Sequence, residues 1–194
     1  MNMAVNRKTQ FLLPLLVVML SAAAYAEEFR ENNWGDSRAQ VIQREGEPIK
    51  NEGEWLSFRV KTDGQDALLG LRFLEDQLTN AIYDFRDPEA SSLETYQQFF
   101  KIEKMLEDKY GAYEKLEATM PTNIPEGDAG FNQVADFIAS GRGSLVEIWE
   151  TPSTTIVHSL NGSDGVMRHS VTYSSKRHSA LQEKYRKDEE ANEK

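Results

Sequence analysis

Residues 54–85 read EWLSFRVKTDGQDALLGLRFLEDQLTNAIYDF, and the fold turns on this stretch. Glu54 to Val60 alternates, with Leu56, Phe58 and Val60 on one parity and Trp55, Ser57 and Arg59 on the other. A period of two marks a strand with one buried face, because successive side chains point to opposite sides. Ala67 to Leu74 is richer in apolar residues, and Leu78 to Phe85 follows after Glu75-Asp76-Gln77. Connections this short join antiparallel neighbours, since a parallel return needs a crossover of a dozen residues or more. These three runs are expected to form a meander.

Helices flank it. Ser37-Arg38-Ala39-Gln40 has the capping-box form, Val41 and Ile42 are apolar, and Gly46 with Pro48 stops the helix. Ser91-Ser92 opens a longer helix in which Leu93, Tyr96, Phe99, Phe100, Glu103, Leu106 and Tyr110 follow helical spacing, with Gly111 ending it. That aromatic stripe reads as a face packed on the sheet. Residues 117–143 are the least regular stretch, punctuated by Pro121, Pro125, Gly127 and Gly130, with a short helix using Phe131, Val134, Phe137 and Ile138. Three further strands are expected at Ser144 to Glu150, Thr154 to Leu160 and Val166 to Tyr173, with Asn161 to Gly165 as a hairpin loop. The reading is an α+β fold of two helix-plus-three-strand modules, an antiparallel sheet with helices packed on one face. The modules span 27–90 and 91–175, the second carrying the insert 117–143, and 176–194 is a charged, partly helical tail.

The N-terminus reads as an export signal. Arg7 and Lys8 precede an apolar run, Phe11 to Leu20, and Ala24-Tyr25-Ala26 forms a cleavage site. The run is shorter than the ~20 apolar residues a spanning helix needs. Cleavage after Ala26 leaves 20 basic and 32 acidic residues, because the 22 basic residues of the chain include Arg7 and Lys8, and no acid precedes Glu27. Such a charge repels phosphate backbones and anionic lipid, so nucleic acid is not an expected partner. The chain has no cysteine, which removes disulfides, thiol catalysis, Cys-ligated metal and a lipid anchor on cysteine. A periplasmic or secreted protein is expected, with no transmembrane span or lipid anchor after cleavage.

Trp34-Gly35-Asp36-Ser37, followed by Val41, Gly46 and Pro48, resembles a small secreted α/β module. It is the module of the β-lactamase inhibitory protein and of the small lipoprotein of the outer-membrane β-barrel assembly machinery. The longer pattern, with Trp149 and Thr154-Thr155-Ile156 in late strands, is also similar to uncharacterised bacterial exported proteins. The resemblance implies helices on one face of an antiparallel sheet and a binding or scaffold role. Without cysteine, neither lipoprotein tethering nor the inhibitor's disulfides carry over.

No catalytic constellation and no cofactor motif is legible. The histidines are His158, His169 and His178. With Leu160 paired to Val166 across the hairpin, His158 faces Arg168 and His169 points to the other face, which disfavours a shared metal. No G-x-S-x-G elbow, P-loop or dinucleotide fingerprint occurs. Glu126 and Asp128 lack the spacing of a calcium loop.

The tryptophans carry the remaining signal. Trp55 shares a parity with Arg59, and Trp149 shares one with Glu147, opposite Val146 and Ile148. If helices cover the apolar parity, Trp55, Arg59, Glu147 and Trp149 project from the open sheet face as a partner-binding surface. The function expected is that of a non-catalytic extracytoplasmic protein-binding or scaffold protein, one form of which is inhibition of an envelope or secreted enzyme. The alternative is a carrier holding a small ligand or envelope component between helix and sheet near residues 117–143. An enzyme of unrecognised type comes third.

Overall fold

The computed structural model describes residues 29–62 and 64–192, so the expected export signal and its cleavage site lie outside the described residues. The first half runs α1 (Arg38–Glu45), β1 (Lys50–Glu52), β2 (Trp55–Thr62), β3 (Gln65–Leu74) and β4 (Gln77–Asp84). The second runs α2 (Ser92–Tyr110), β5 (Lys115–Thr119), α3 (Asp128–Ala139), β6 (Ser144–Glu150), β7 (Thr154–Ser163) and β8 (Val166–Ser175), and α4 (Ser179–Asn192) follows. All eight strands form one antiparallel sheet in the order β1-β2-β3-β4-β8-β7-β6-β5. Each half is thus a four-stranded meander, and the two meet through their last strands, β4 and β8. The α+β architecture expected from the sequence is the one observed.

Local chemistry sets the helix ends. Ser37 caps α1 and Ser91 caps α2, each with a reciprocal capping box completed by Gln40 and Glu94. Gly46 and Gly111 take φ of 88° and 83° just past the last turns, where a side chain is disfavoured. Leu56, Phe58, Leu69, Leu71 and Phe73 turn one face of the first meander into a core closed by Val41 of α1. Phe99 of α2 and Val134 and Ile138 of α3 cover Leu145, Leu160 and Met167 of the second. Trp34 joins the halves. It is buried, stacks on Phe29 at 5.9 Å, and donates its indole N–H to Thr154 Oγ1 at 2.8 Å.

Three expectations change. The insert contains an edge strand, β5, exposed along its length, which a run of mixed polarity does not announce. On β6 the buried parity is Leu145, Glu147 and Trp149, not Val146 and Ile148. Both parities of that strand are apolar enough to face a core, so periodicity alone could not choose. The β7–β8 hairpin is longer than expected. Its strands run to Ser163 and from Val166, leaving Asp164 and Gly165, both at positive φ, as a two-residue turn.

Gly162 explains the misreading of that hairpin. It is a strand residue, and a Cβ there would lie 2.4 Å from the carbonyl oxygen of Ile138 at the end of α3. Its absent side chain permits a close backbone approach rather than a turn. α4 lies against Arg72 and Thr79. Gln182 Nε2 donates to the Thr79 carbonyl at 3.0 Å, and Arg72, on the face of Trp55, pairs with Glu189. Among the described residues no helix is long and apolar enough to cross a membrane.

Candidate functional site

Two features stand out beneath and beside α2. The first is a cavity of about 620 Å³ between α2 and the first meander. It lies where the cover of α2 ends and the short Phe29–Asn32 turn begins. The floor is aromatic: the Phe29 ring lies 4.9 Å from Tyr173 and 5.8 Å from Tyr83, and Tyr110 lies 6.4 Å from Tyr173. The rim is cationic. Lys101, Lys104, Met105, Asp108 and Lys109 line it from one face of α2, at the three- and four-residue spacing that makes helix positions neighbours. Arg30 enters from the opposite side, at the left-handed φ of 54°.

Some of these charges are spoken for. Arg30 Nε donates to Glu45 at 2.9 Å and its Nη1 to the Tyr83 hydroxyl at 3.3 Å. Lys104 pairs with Asp108. Lys101 and Lys109 have no carboxylate partner among the described residues, and Lys109 rests over the Tyr110 ring at 5.1 Å. Burial pushes the phenols of Tyr83 and Tyr173 up from their ordinary value, and neighbouring Tyr110 and Tyr83 raise Tyr173 further. Both phenols therefore stay neutral and keep a proton to donate. A net negative chain thus presents one concave place where unpaired ammonium groups and neutral phenols surround an apolar floor.

The second feature is a buried polar chain under α2. His158 Nδ1 lies 2.8 Å from Glu147 Oε2, and the two Nε2 atoms of His158 and His169 are 2.8 Å apart. His169 Nδ1 lies 3.0 Å from Gln98 Oε1, and Gln98 Nε2 donates to Gln65 Oε1 at 3.1 Å. Glu103 of α2 hydrogen-bonds Glu147 from the other end. Phe99 stacks on His158 at 3.9 Å, and Phe85 packs on His169 at 5.0 Å. Burial holds both imidazoles down at about 3 and both carboxyls up at about 7, Glu103 being raised further by Glu147. Below pH 7 the Glu147–His158 contact is therefore a hydrogen bond within a neutral pair. No buried side-chain nitrogen or oxygen among the described residues lacks a partner.

The expected histidine geometry is corrected by register. His158 pairs with Val171 and Leu160 with His169. This differs from the Leu160–Val166 pairing by an odd number of residues, which moves His169 to the face of His158. A zinc ion bound at ~2.0–2.1 Å in tetrahedral geometry would hold the nitrogens farther apart than this hydrogen-bond distance, and no three side chains are grouped as metal ligands among the described residues. Sequence reading missed the chain because Glu147, His158 and Gln98 sit on three different elements.

The four expected surface residues divide. Trp55 and Arg59 lie on the sheet face away from α2, where Trp55 is 40 % exposed and its ring covers Gly70. Trp149 is 2 % exposed on the helix-covered face and donates to the Gly111 carbonyl at 2.8 Å. Glu147 is buried beside it. The two tryptophans therefore share no surface, because β6 turns its other parity outward. No protein-family model, curated protein or solved structure matches the chain, so the resemblance at Trp34 to Pro48 stands on those residues alone.

Proposed function

We propose that this is a non-catalytic extracytoplasmic binding protein whose ligand is a small anion with an apolar body, held in the seam between α2 and the first meander. The observation that carries this is the placing of Lys101 and Lys109, unpaired, above an aromatic floor in an acidic chain. A cavity lined largely by apolar groups with a few convergent polar ones is the usual form of a small-ligand site. A positive concavity on a negative surface also concentrates anions. This seam is a different place from the 117–143 stretch, where a smaller cleft of about 420 Å³ lies beside Pro121 and Phe137.

Dodecanoate and dodecyl phosphate are expected to bind saturably, one per chain, while dodecyltrimethylammonium does not. Calorimetric titration measures this. The double substitution Lys101→Glu and Lys109→Glu is expected to weaken anion binding at least tenfold, about 1.4 kcal/mol. Equal binding of the cationic amphiphile, or unchanged affinity in the charge-reversed variant, defeats the reading.

A protein partner on the open face is favoured by one observation: Trp55 and Leu68 are about 40 % exposed on the side where Arg59 points to solvent. Trp55→Ala should lower stability by only about 1–2 kcal/mol, since two-fifths of the residue is already in water. Chemical denaturation checks this, and a loss above 2 kcal/mol would make Trp55 a structural cover for Gly70 rather than a contact surface.

A further inference from the structure

The direction of each hydrogen bond in the buried chain follows from the one before. Gln98 gives its amide N–H to Gln65 and presents its carbonyl oxygen to His169. His169 must therefore donate from Nδ1, and as a neutral ring it accepts at Nε2. His158 then donates from Nε2 and accepts at Nδ1, so the partner at Nδ1 must bring a hydrogen. That partner is Glu147, 2.8 Å away. Its carboxyl is protonated by the logic of the chain, and Glu103 in turn donates to Glu147.

A second arrangement satisfies every atom with one proton fewer. Glu147 becomes a carboxylate accepting from Glu103 and from His158 Nδ1–H. His158 Nε2 accepts from His169 Nε2–H, and His169 Nδ1 accepts from the Gln98 amide after that amide rotates, with Gln65 rotating too so that its Nε2 donates to the Gln98 oxygen. We infer that Glu147, His158 and His169 form a proton-binding site that takes up or releases one proton by reversing the whole chain. Release is balanced as three hops: the Glu147 proton moves to His158 Nδ1, the His158 Nε2 proton moves to His169 Nε2, and the His169 Nδ1 proton leaves to water. Three O–H or N–H bonds break, and three form. The outlet is beside Gln98, which with Gln65 lines an open cleft of about 540 Å³. The two rings exchange tautomers while staying neutral.

The surroundings favour this over ordinary imidazole titration. Glu103 and Glu107 reach the cluster from α2, Glu147 from β6, His158 from β7 and His169 from β8. Tyr96 is the remaining titratable group felt there, through Glu103. Where α3 joins the neighbouring core it brings Val134, Ala135 and Ile138, none of which titrates. Burial opposes an imidazolium at either ring and holds the carboxyls near pH 7, so a neutral reversal is the transition left open.

Nitrogen-15 NMR of the mature chain reads the tautomers directly. At pH 5 the expected forms are His158 Nε2–H and His169 Nδ1–H. At pH 9 they are His158 Nδ1–H and His169 Nε2–H, with one shared midpoint and no imidazolium signal. The tautomer ratio should invert at least tenfold across two pH units around the midpoint. Fixed tautomers from pH 5 to 9, a change in one ring alone, or a charged ring overturns the inference. Glu147→Gln keeps a donor for His158 Nδ1 but holds no titrating proton, so it should lock the low-pH tautomers at every pH. A variant that still switches removes Glu147 as the proton's source. If the variant does not fold, the titration of the unaltered chain decides alone.

Discussion

Trp34→Ala is expected to remove about 4 kcal/mol of folding stability, within the ~3–5 kcal/mol range for a buried Trp truncated to Ala. Trp34 is 1 % exposed, in the core shared by Leu56 and Leu71 of the first meander and Trp149 and Ile156 of the second. Truncation opens a void there and also leaves the buried Thr154 hydroxyl without its 2.8 Å donor. Folded domains hold only ~5–15 kcal/mol in total, so this is a large share of the margin. The melting temperature should fall by roughly 8–16 °C for a chain of this size. Trp34→Phe retains the stack on Phe29 but not the hydrogen bond, and should lose about half as much. A loss below 1 kcal/mol for the alanine variant, read by chemical denaturation, would mean that union of the two meanders does not depend on this ring.

Stability should also collapse in mild acid. His158 and His169 are held at about 3 against an ordinary 6.5, chiefly by burial. The folded chain therefore binds fewer protons than the unfolded chain between these values. Their contribution is complete above pH 6.5 and is lost as pH falls through 3. Glu103 and Glu147 act in the other sense, held at about 7 against 4.5. Their contribution is complete below pH 4.5 and is lost as pH rises through 7. From pH 4.5 to 6.5 two pairs of groups oppose each other, and the profile should be nearly flat. Below 4.5 only the histidine slope remains, at ~1.4 kcal/mol per group per pH unit. From pH 4.5 to 3 this amounts to about 4 kcal/mol. Urea midpoints measured from pH 3 to 8 check it. A decline that begins at pH 6.5 would show that the two carboxyls are not raised, and no decline below 4.5 would show that the two rings are not buried neutral.

How much of this was legible earlier differs between elements. The capping boxes at Ser37 and Ser91, and the stops at Gly46 and Gly111, are local events completed within four residues. The alternation in β2 was equally plain, because one parity there carries Leu56, Phe58 and Val60 and the other is mostly polar. In β6 the same rule failed. Leu145 and Trp149 compete with Val146 and Ile148, and Glu147 on the buried parity argued for the wrong side until His158 supplied its partner. Gly162 misled in the same way, since a glycine required by a neighbouring helix looks identical in sequence to one required by a turn.

The basic cavity was not legible at all. Lys101 and Lys109 are ordinary surface lysines of an amphipathic helix until Tyr83 and Tyr173, on other elements, are brought beneath them. Net charge pointed the opposite way, because it sums over the whole surface and carries no information about where the few unpaired cations gather.

The sequence by itself determined the class of fold, the ends of α1 and α2 and six of the eight antiparallel strands, because each depends on periodicity and on contacts between near neighbours. Only the tertiary structure decided which face of β6 is buried, that His158 and His169 meet, and where a ligand could sit. Those outcomes hang on register across a hairpin and on the closing of α2 and α3 over it. A shift of one residue there exchanges the two faces of a strand, and no local signal in the chain opposes it.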